Sequence, residues 1–142
     1  MKTIHPDTKT IERKWYVVDA ANKTVGHVAT NVAHVLRGKH RAYFTPGREV
    51  GDFVIVINAA QVNVTGRKME QKMYYRHSGY LGGLKSFNFQ QMMQRNPIYP
   101  VEHAVKGMLP KNKLGRKLFK NMKVYAGAEH PHAAQKPEKL EI

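Results

Sequence analysis

Blocks of apolar residues along this chain predict strands and helices in alternation. Residues 15–18 form a β-prone run without a polar break, which is typical of a buried strand. Over residues 25–36 the apolar side chains fall within one arc at about 100° per residue, which predicts an amphipathic helix ending at Gly38. Residues 53–57 form a second uninterrupted apolar run and predict another buried strand.

The second half of the chain continues with shorter elements. Residues 72–76 predict a third strand, and residues 78–85 hold three glycines that predict a loop. A helix capped by Ser86 or Asn88 is expected to run to Arg95. Further helices are predicted over residues 101–108 and 114–122, and a short final strand at residues 124–125.

This order of elements predicts the fold class. Strands that alternate with helices are typical of an α/β layer fold with a mainly parallel sheet. A length of 142 residues favours a single domain, residues 1–142, with an N-terminal extension over 1–14. The segment 126–142 contains Pro131 and Pro137 and is expected to be an extended tail.

Charge identifies the class of partner. The chain carries 24 Lys and Arg against 10 Asp and Glu, a net charge of +14, and half of this net charge lies in residues 106–123. On the predicted helix at 114–122, the phase of about 100° per residue separates an apolar face from a cationic face that continues to Lys123. A solvated surface is the alternative, but solvated faces usually mix signs. The pattern therefore favours a polyanion, with nucleic acid first.

Two further basic clusters flank predicted loops. They are Arg37, Lys39, His40, Arg41 and Arg48, and Arg67, Lys68, Lys72, Arg76, His77 and Lys85.

An anionic membrane surface is the alternative partner, but the basic helix is short and its apolar face is needed by the core. Tyr74, Tyr75, Tyr80 and Tyr125 interleave with the basic residues, and an exposed one would stack on an unpaired base, although strand aromatics more often pack.

Catalytic and metal-binding patterns are missing from the sequence. The chain has no cysteine, and His27 and His34 would lie about 10 Å apart on a helix, so neither a metal nor a cofactor is predicted. Residues 79–86 approach a phosphate loop, but Leu84 stands where that motif requires glycine. Asp52 is expected to cap or hydrogen-bond a loop. No secretory signal or membrane-spanning run is evident, which predicts a soluble cytoplasmic protein.

Several segments, in order and at matching spacing, resemble the universal ribosomal protein family thirteen of the large subunit, in its bacterial form. The chain departs from the family pattern at Asn22, His27 and Gly47, where glycine, arginine and histidine are usual. The segments that carry the resemblance are WYVVDA at 15–20, LRGKH at 36–40, GDFVIVINA at 51–59, YRHSG at 75–79, VKGMLPK at 105–111, KVYAG at 123–127 and HPHAAQ at 130–135.

The resemblance implies a three-layer α/β/α fold with a central, mainly parallel four-stranded sheet. It also implies a structural, non-enzymatic protein that binds large-subunit ribosomal RNA, lies beside other ribosomal proteins and supports subunit assembly. A phosphate-handling enzyme and an RNA-binding regulator off the ribosome are the alternatives. The RNA-binding residues expected from the basic clusters and the resemblance are Arg37, Lys39, His40, Arg41, Lys68, Arg76, His77, Gly79, Lys85, Lys106, Lys111, Lys113, Arg116, Lys117, Lys120, Lys123, His130 and His132.

Overall fold

A four-stranded parallel sheet forms the centre of the protein in a computed structural model that describes residues 5–8 and 10–142. The strand order is β5-β2-β1-β6, and helices complete the predicted three-layer α/β/α arrangement. The predicted extension over 1–14 lies partly outside the described residues. The bounds are β1 Trp15–Asp19, α1 Val25–Arg37, β2 Phe53–Ile57, α2 Lys68–Gln71, β3 Met73–His77, β4 Leu84–Asn88, α3 Phe89–Arg95, α4 Tyr99–Met108, α5 Lys113–Lys120, β5 Met122–Val124 and β6 Glu138–Lys139.

The two apolar runs form the two inner strands of this sheet, as predicted. β1 and β2 pair in parallel, with Val17 opposite Ile55, and both of these side chains are buried. The neighbouring Val18, Val54 and Val56 are fully buried on the other face, which explains why neither run contains a polar residue. The apolar face of α1 packs against the core. The helix ends at Arg37 and is capped by Gly38, whose φ of 78° is the left-handed conformation common at helix C-termini.

The third predicted strand is not part of this sheet. β3 and β4 form a separate antiparallel hairpin, so the predicted glycine loop ends before Leu84, and Lys85 lies in a strand. Of the β3 residues only Tyr74 is buried, and a strand with one buried face suits an antiparallel ribbon better than a parallel sheet. The fourth strand of the main sheet is instead β6, which comes from the predicted tail and pairs with β1.

The basic helix is shorter than predicted. α5 begins at Lys113 because the Oδ1 of Asn112 accepts a hydrogen bond from the Gly115 amide at 2.8 Å, and it ends at Lys120. Met122 is buried as the first residue of β5 rather than on a helix face. Lys123 therefore projects from a strand, and its predicted position on the helix was wrong.

Turn and cap residues fix the other boundaries. Asn88, not Ser86, caps α3 through a reciprocal capping box with Gln91. α4 starts before the predicted helix because Pro100 occupies its first turn, where proline is tolerated. Asn22 has a φ of 58°, a left-handed backbone conformation that asparagine adopts more readily than most other residues.

We expect Gly115→Ala to destabilise the protein by about 1–3 kcal/mol, although alanine is the better helix former. A Cβ at this position would overlap the carbonyl oxygen of Pro110, so the loop before α5 must move. Gly26→Ala in the first turn of α1 is the matched control, because no atom lies within 4 Å of its added Cβ. Urea unfolding curves of both variants test this, and a Gly115→Ala protein as stable as the wild type would contradict it.

Candidate nucleic-acid interface

α5 presents a face of a single charge sign. Lys113, Arg116, Lys117 and Lys120 are exposed, while Leu118 on the other side is fully buried. None of these cations forms an ion pair with any carboxylate in the described part of the chain. The predicted separation of the two faces is therefore confirmed, and the exposed charges are open to an external anion.

The remaining cations of residues 106–123 lie on three different elements. Lys106 is exposed on α4 with its Nζ 6.0 Å from the centre of the Phe119 ring, so it adjoins α5. Lys111 is exposed in the loop between the two helices, and Lys123 is exposed on β5. The run in sequence is thus a broader surface in the fold, with α5 at its centre.

The loop after α1 uses part of its charge internally. Arg41 donates to both carboxylate oxygens of the fully buried Asp52, at 2.7 and 3.2 Å, and this hydrogen bonding raises the pKa of Arg41. His40 Nε2 lies 2.7 Å from Asp52 Oδ2, and the Lys14 amide donates to Oδ1 at 2.9 Å. Asp52 therefore hydrogen-bonds a loop, as predicted, and His40 and Arg41 hold the shape of that loop.

The other cations of this cluster differ in exposure. Lys39 is exposed, whereas Arg37 is half-buried with its guanidinium 5.7 Å from the centre of the Phe44 ring. Arg48 is exposed like Lys39, so the loop cluster divides into a pair fixed by Asp52, an exposed pair, and the half-buried Arg37. An RNA contact through His40 or Arg41 stays a prediction, and it would use only the side-chain nitrogens that are not engaged with Asp52.

The hairpin cluster surrounds the β3–β4 turn. Arg76 and Lys85 lie directly opposite each other in the hairpin, and both are exposed. His77 Nδ1 accepts a hydrogen bond from the Gly79 amide, so this histidine closes the turn. Lys68 lies on α2, where its Nζ donates to Thr65 Oγ1 at 3.2 Å.

The tail histidines are held by aromatic contacts. The His132 ring stacks on Trp15 at 5.3 Å, and its Nε2 lies 2.7 Å from the Tyr125 hydroxyl. His130 Nδ1 accepts a hydrogen bond from the His132 amide. These contacts fasten the tail beside β1, and no cluster of three potential metal ligands occurs in residues 5–8 and 10–142.

The tyrosines that interleave with the basic residues fall into two classes. Tyr74 is buried against Phe89, and Tyr125 bonds His132, so these two pack within the protein. Tyr75 and Tyr80 are 64% and 80% exposed. Only the exposed pair has the accessibility that stacking on a base requires.

One basic residue beside the hairpin cluster was not among the predicted RNA-binding residues. Arg95, the last residue of α3, lines a groove of about 550 Å³ together with Arg76 and Lys85. Its guanidinium lies 4.9 Å from the centre of the Phe87 ring. A lone arginine at a helix end carries no pattern that would single it out, and only the folded hairpin brings it near the other two cations.

A smaller groove of about 320 Å³ is lined by Lys68, Lys72 and His103, among others. Burial, together with the nearby Lys72 and Lys106, lowers the pKa of His103. This histidine is therefore neutral at neutral pH and offers hydrogen bonding rather than charge.

None of the helices in the described residues is long and apolar enough to cross a membrane.

Residues 13–131 match the family described as ribosomal protein L13. The large ribosomal subunit protein uL13 of Symbiobacterium thermophilum is 57% identical over 141 residues, which cover 99% of each chain. The uL13 protein of Teredinibacter turnerae is 52% identical over 142 residues, 100% of both chains. That of Microcystis aeruginosa is 59% identical over 141 residues, 99% of this chain and 93% of the relative. The similarity spans all three basic clusters.

Proposed function

Since this chain belongs to the ribosomal protein L13 family, we propose that its basic clusters bind large-subunit ribosomal RNA and support assembly of the subunit. The protein is a structural constituent of the large ribosomal subunit rather than an enzyme. Its proposed location is the ribosomes of the cytoplasm. Its proposed partners are RNA and neighbouring ribosomal proteins, without a small-molecule substrate or a membrane.

The observation that carries the RNA-binding role is the cationic face of α5. None of its exposed cations forms an ion pair with an acid of the described residues, while its apolar side is fixed in the core around Leu118. Binding to phosphates offsets the mutual repulsion of these charges and releases counterions from the RNA. The folded core thus presents a row of exposed cations on one helix face.

The other clusters extend this contact in separate directions. Lys39 projects from the loop after α1, and Arg76 and Lys85 project from the hairpin. His40 and Arg41 are proposed to position their loop through Asp52, and His130 and His132 to position the tail. Cations on separate loops of one domain suit a site where several RNA segments converge.

Sedimentation of a cell extract through a sucrose gradient tests the proposed function. We expect the protein to travel almost entirely with large subunits and full ribosomes, because a structural constituent is bound at all times. A pool that sediments only as free protein would contradict this role and favour an RNA-binding regulator that acts away from the ribosome. A small-subunit protein followed in the same fractions serves as the control for ribosome integrity.

A further inference from the structure

The groove of about 550 Å³ lies between the β3–β4 hairpin and α3. Tyr74 pairs with Phe87 and Arg76 pairs with Lys85 across the hairpin, so these four side chains share one face and form one wall. The other wall comes from α3 and the segment after it. The volume falls within the roughly 300–1,000 Å³ typical of small-ligand pockets.

The charge of this groove indicates an anionic occupant. Arg76 and Lys85 are directly opposite on neighbouring strands, and like charges in that position destabilise a hairpin. Arg95 adds a third cation from α3. Neither Asp nor Glu from the described residues lines the groove, and none of the three cations forms an ion pair there. An anion held between them would offset the repulsion.

The walls also suit the flat face of a base. The aromatic residues Phe87 and Tyr99, both half-buried, line the groove, whereas Tyr74, which also lines it, is buried. Arg95 lies with its guanidinium 4.9 Å from the centre of the Phe87 ring, so a planar group covers one side of that ring. Aromatic and guanidinium planes are the surfaces on which proteins stack unpaired bases. A base within a duplex is already stacked on its neighbours and cannot enter such a groove.

We propose that this groove binds one unpaired nucleotide of the large-subunit RNA. Arg76 and Lys85 hold its phosphate, and its base stacks on the Arg95 guanidinium over Phe87. The inference rests on the proposed function, since it specifies how the RNA is recognised at one contact site. α5, by comparison, has an open cationic face that binds phosphates whether or not their bases are paired.

Two matched double variants test the assignment. Arg76→Gln with Lys85→Gln removes two groove charges, and Lys113→Gln with Lys117→Gln removes the same charge from α5. The probes are an oligouridine of about 12 nucleotides and an RNA duplex of the same length, followed by fluorescence anisotropy. We expect the groove variant to lose about tenfold in oligouridine affinity but less than about threefold for the duplex, whereas the α5 variant should lose affinity for both probes to a similar extent. Equal losses for both variants on both probes would overturn the proposal.

Two measurements on the wild-type protein test the stacking itself and avoid any effect of substitution on folding. Oligouridine should bind at least about fivefold more tightly than an abasic oligomer of equal length and charge. A photoreactive thiouridine oligomer should crosslink within residues 85–99. Equal binding of the two oligomers, or crosslinks confined to residues 113–123, would refute the groove. If the protein also failed to bind the duplex and large subunits, the proposed function itself would fail.

Discussion

Asp52→Asn is expected to lower the free energy of unfolding by about 3 kcal/mol, because it removes the charge from a buried ion pair. Asp52 is fully buried and accepts hydrogen bonds from the Arg41 guanidinium and the Lys14 amide, with the His40 ring 2.7 Å away. Asparagine has the same shape, but an NH₂ group replaces one of the two carboxylate oxygens and would face the N–H groups of Arg41, donor against donor. The loss of the negative charge also leaves the partly buried Arg41 cation without its counter-charge. Total stabilities of about 5–15 kcal/mol make such a loss readily measurable.

Asp19→Asn is the matched control for Asp52→Asn. Asp19 also accepts two hydrogen bonds, from the Ala21 amide and the Asn58 side chain, but it is exposed and water replaces what the substitution removes. We expect a loss below about 1 kcal/mol there. Urea unfolding curves compare the two variants. A loss at Asp52 no larger than at Asp19 would show that the bonds to Arg41 and His40 do not stabilise the loop after α1.

Replacing Arg116, Lys117 and Lys120 with glutamine is expected to weaken binding to large-subunit ribosomal RNA by about 10²–10³-fold at about 0.1 M salt. The slope of log affinity against log salt should fall in magnitude by about 3, because each lost phosphate contact removes roughly one unit. The far-ultraviolet circular dichroism and the unfolding midpoint should stay close to wild type, since these side chains are exposed and have no ion pair in the described residues.

A variant with the same change of net charge separates position from overall charge. Lys23, Lys136 and Lys139 lie outside the three basic clusters, and their replacement with glutamine should reduce affinity far less. Equal losses in the two triple variants would mean that long-range attraction, not contact by α5, dominates binding. Unfolding of the α5 variant would instead show that its cationic face packs against the protein.

Periodicity located most elements because each signal lies within one segment. The runs that became β1 and β2 and the arc that became α1 need only local neighbours to be recognised. The membership of the sheet depends on pairing between distant segments. The two residues of β6 are too few for a periodic signal, yet they complete the four-stranded sheet. The strand at Met73–His77 has a clearer signal, but it pairs in the separate hairpin and not in this sheet.

The basic surface could likewise be predicted from the sequence only in part. A run of like charge predicts an anion as partner, but it does not tell which cations are neutralised by an acid from elsewhere in the chain. Arg41 and His40 contact Asp52, which follows them by 11 and 12 positions in the sequence, whereas the cations of α5 form no ion pair in the described residues. Arg95 had no local signal at all, because its proximity to Arg76 and Lys85 exists only after the hairpin forms.

The strand order β5-β2-β1-β6 has a consequence for synthesis of the protein. Both outer strands come from residues 122–139, so the inner strands β1 and β2 leave the ribosomal tunnel long before either receives its outer partner. Until then each has one unpaired edge, which is a template for pairing with another chain. Completion of the sheet is therefore a late step that follows translation of the last segment. A chain stopped near residue 121 would keep both edges open and would be prone to aggregation, however well its first helix and strands had folded.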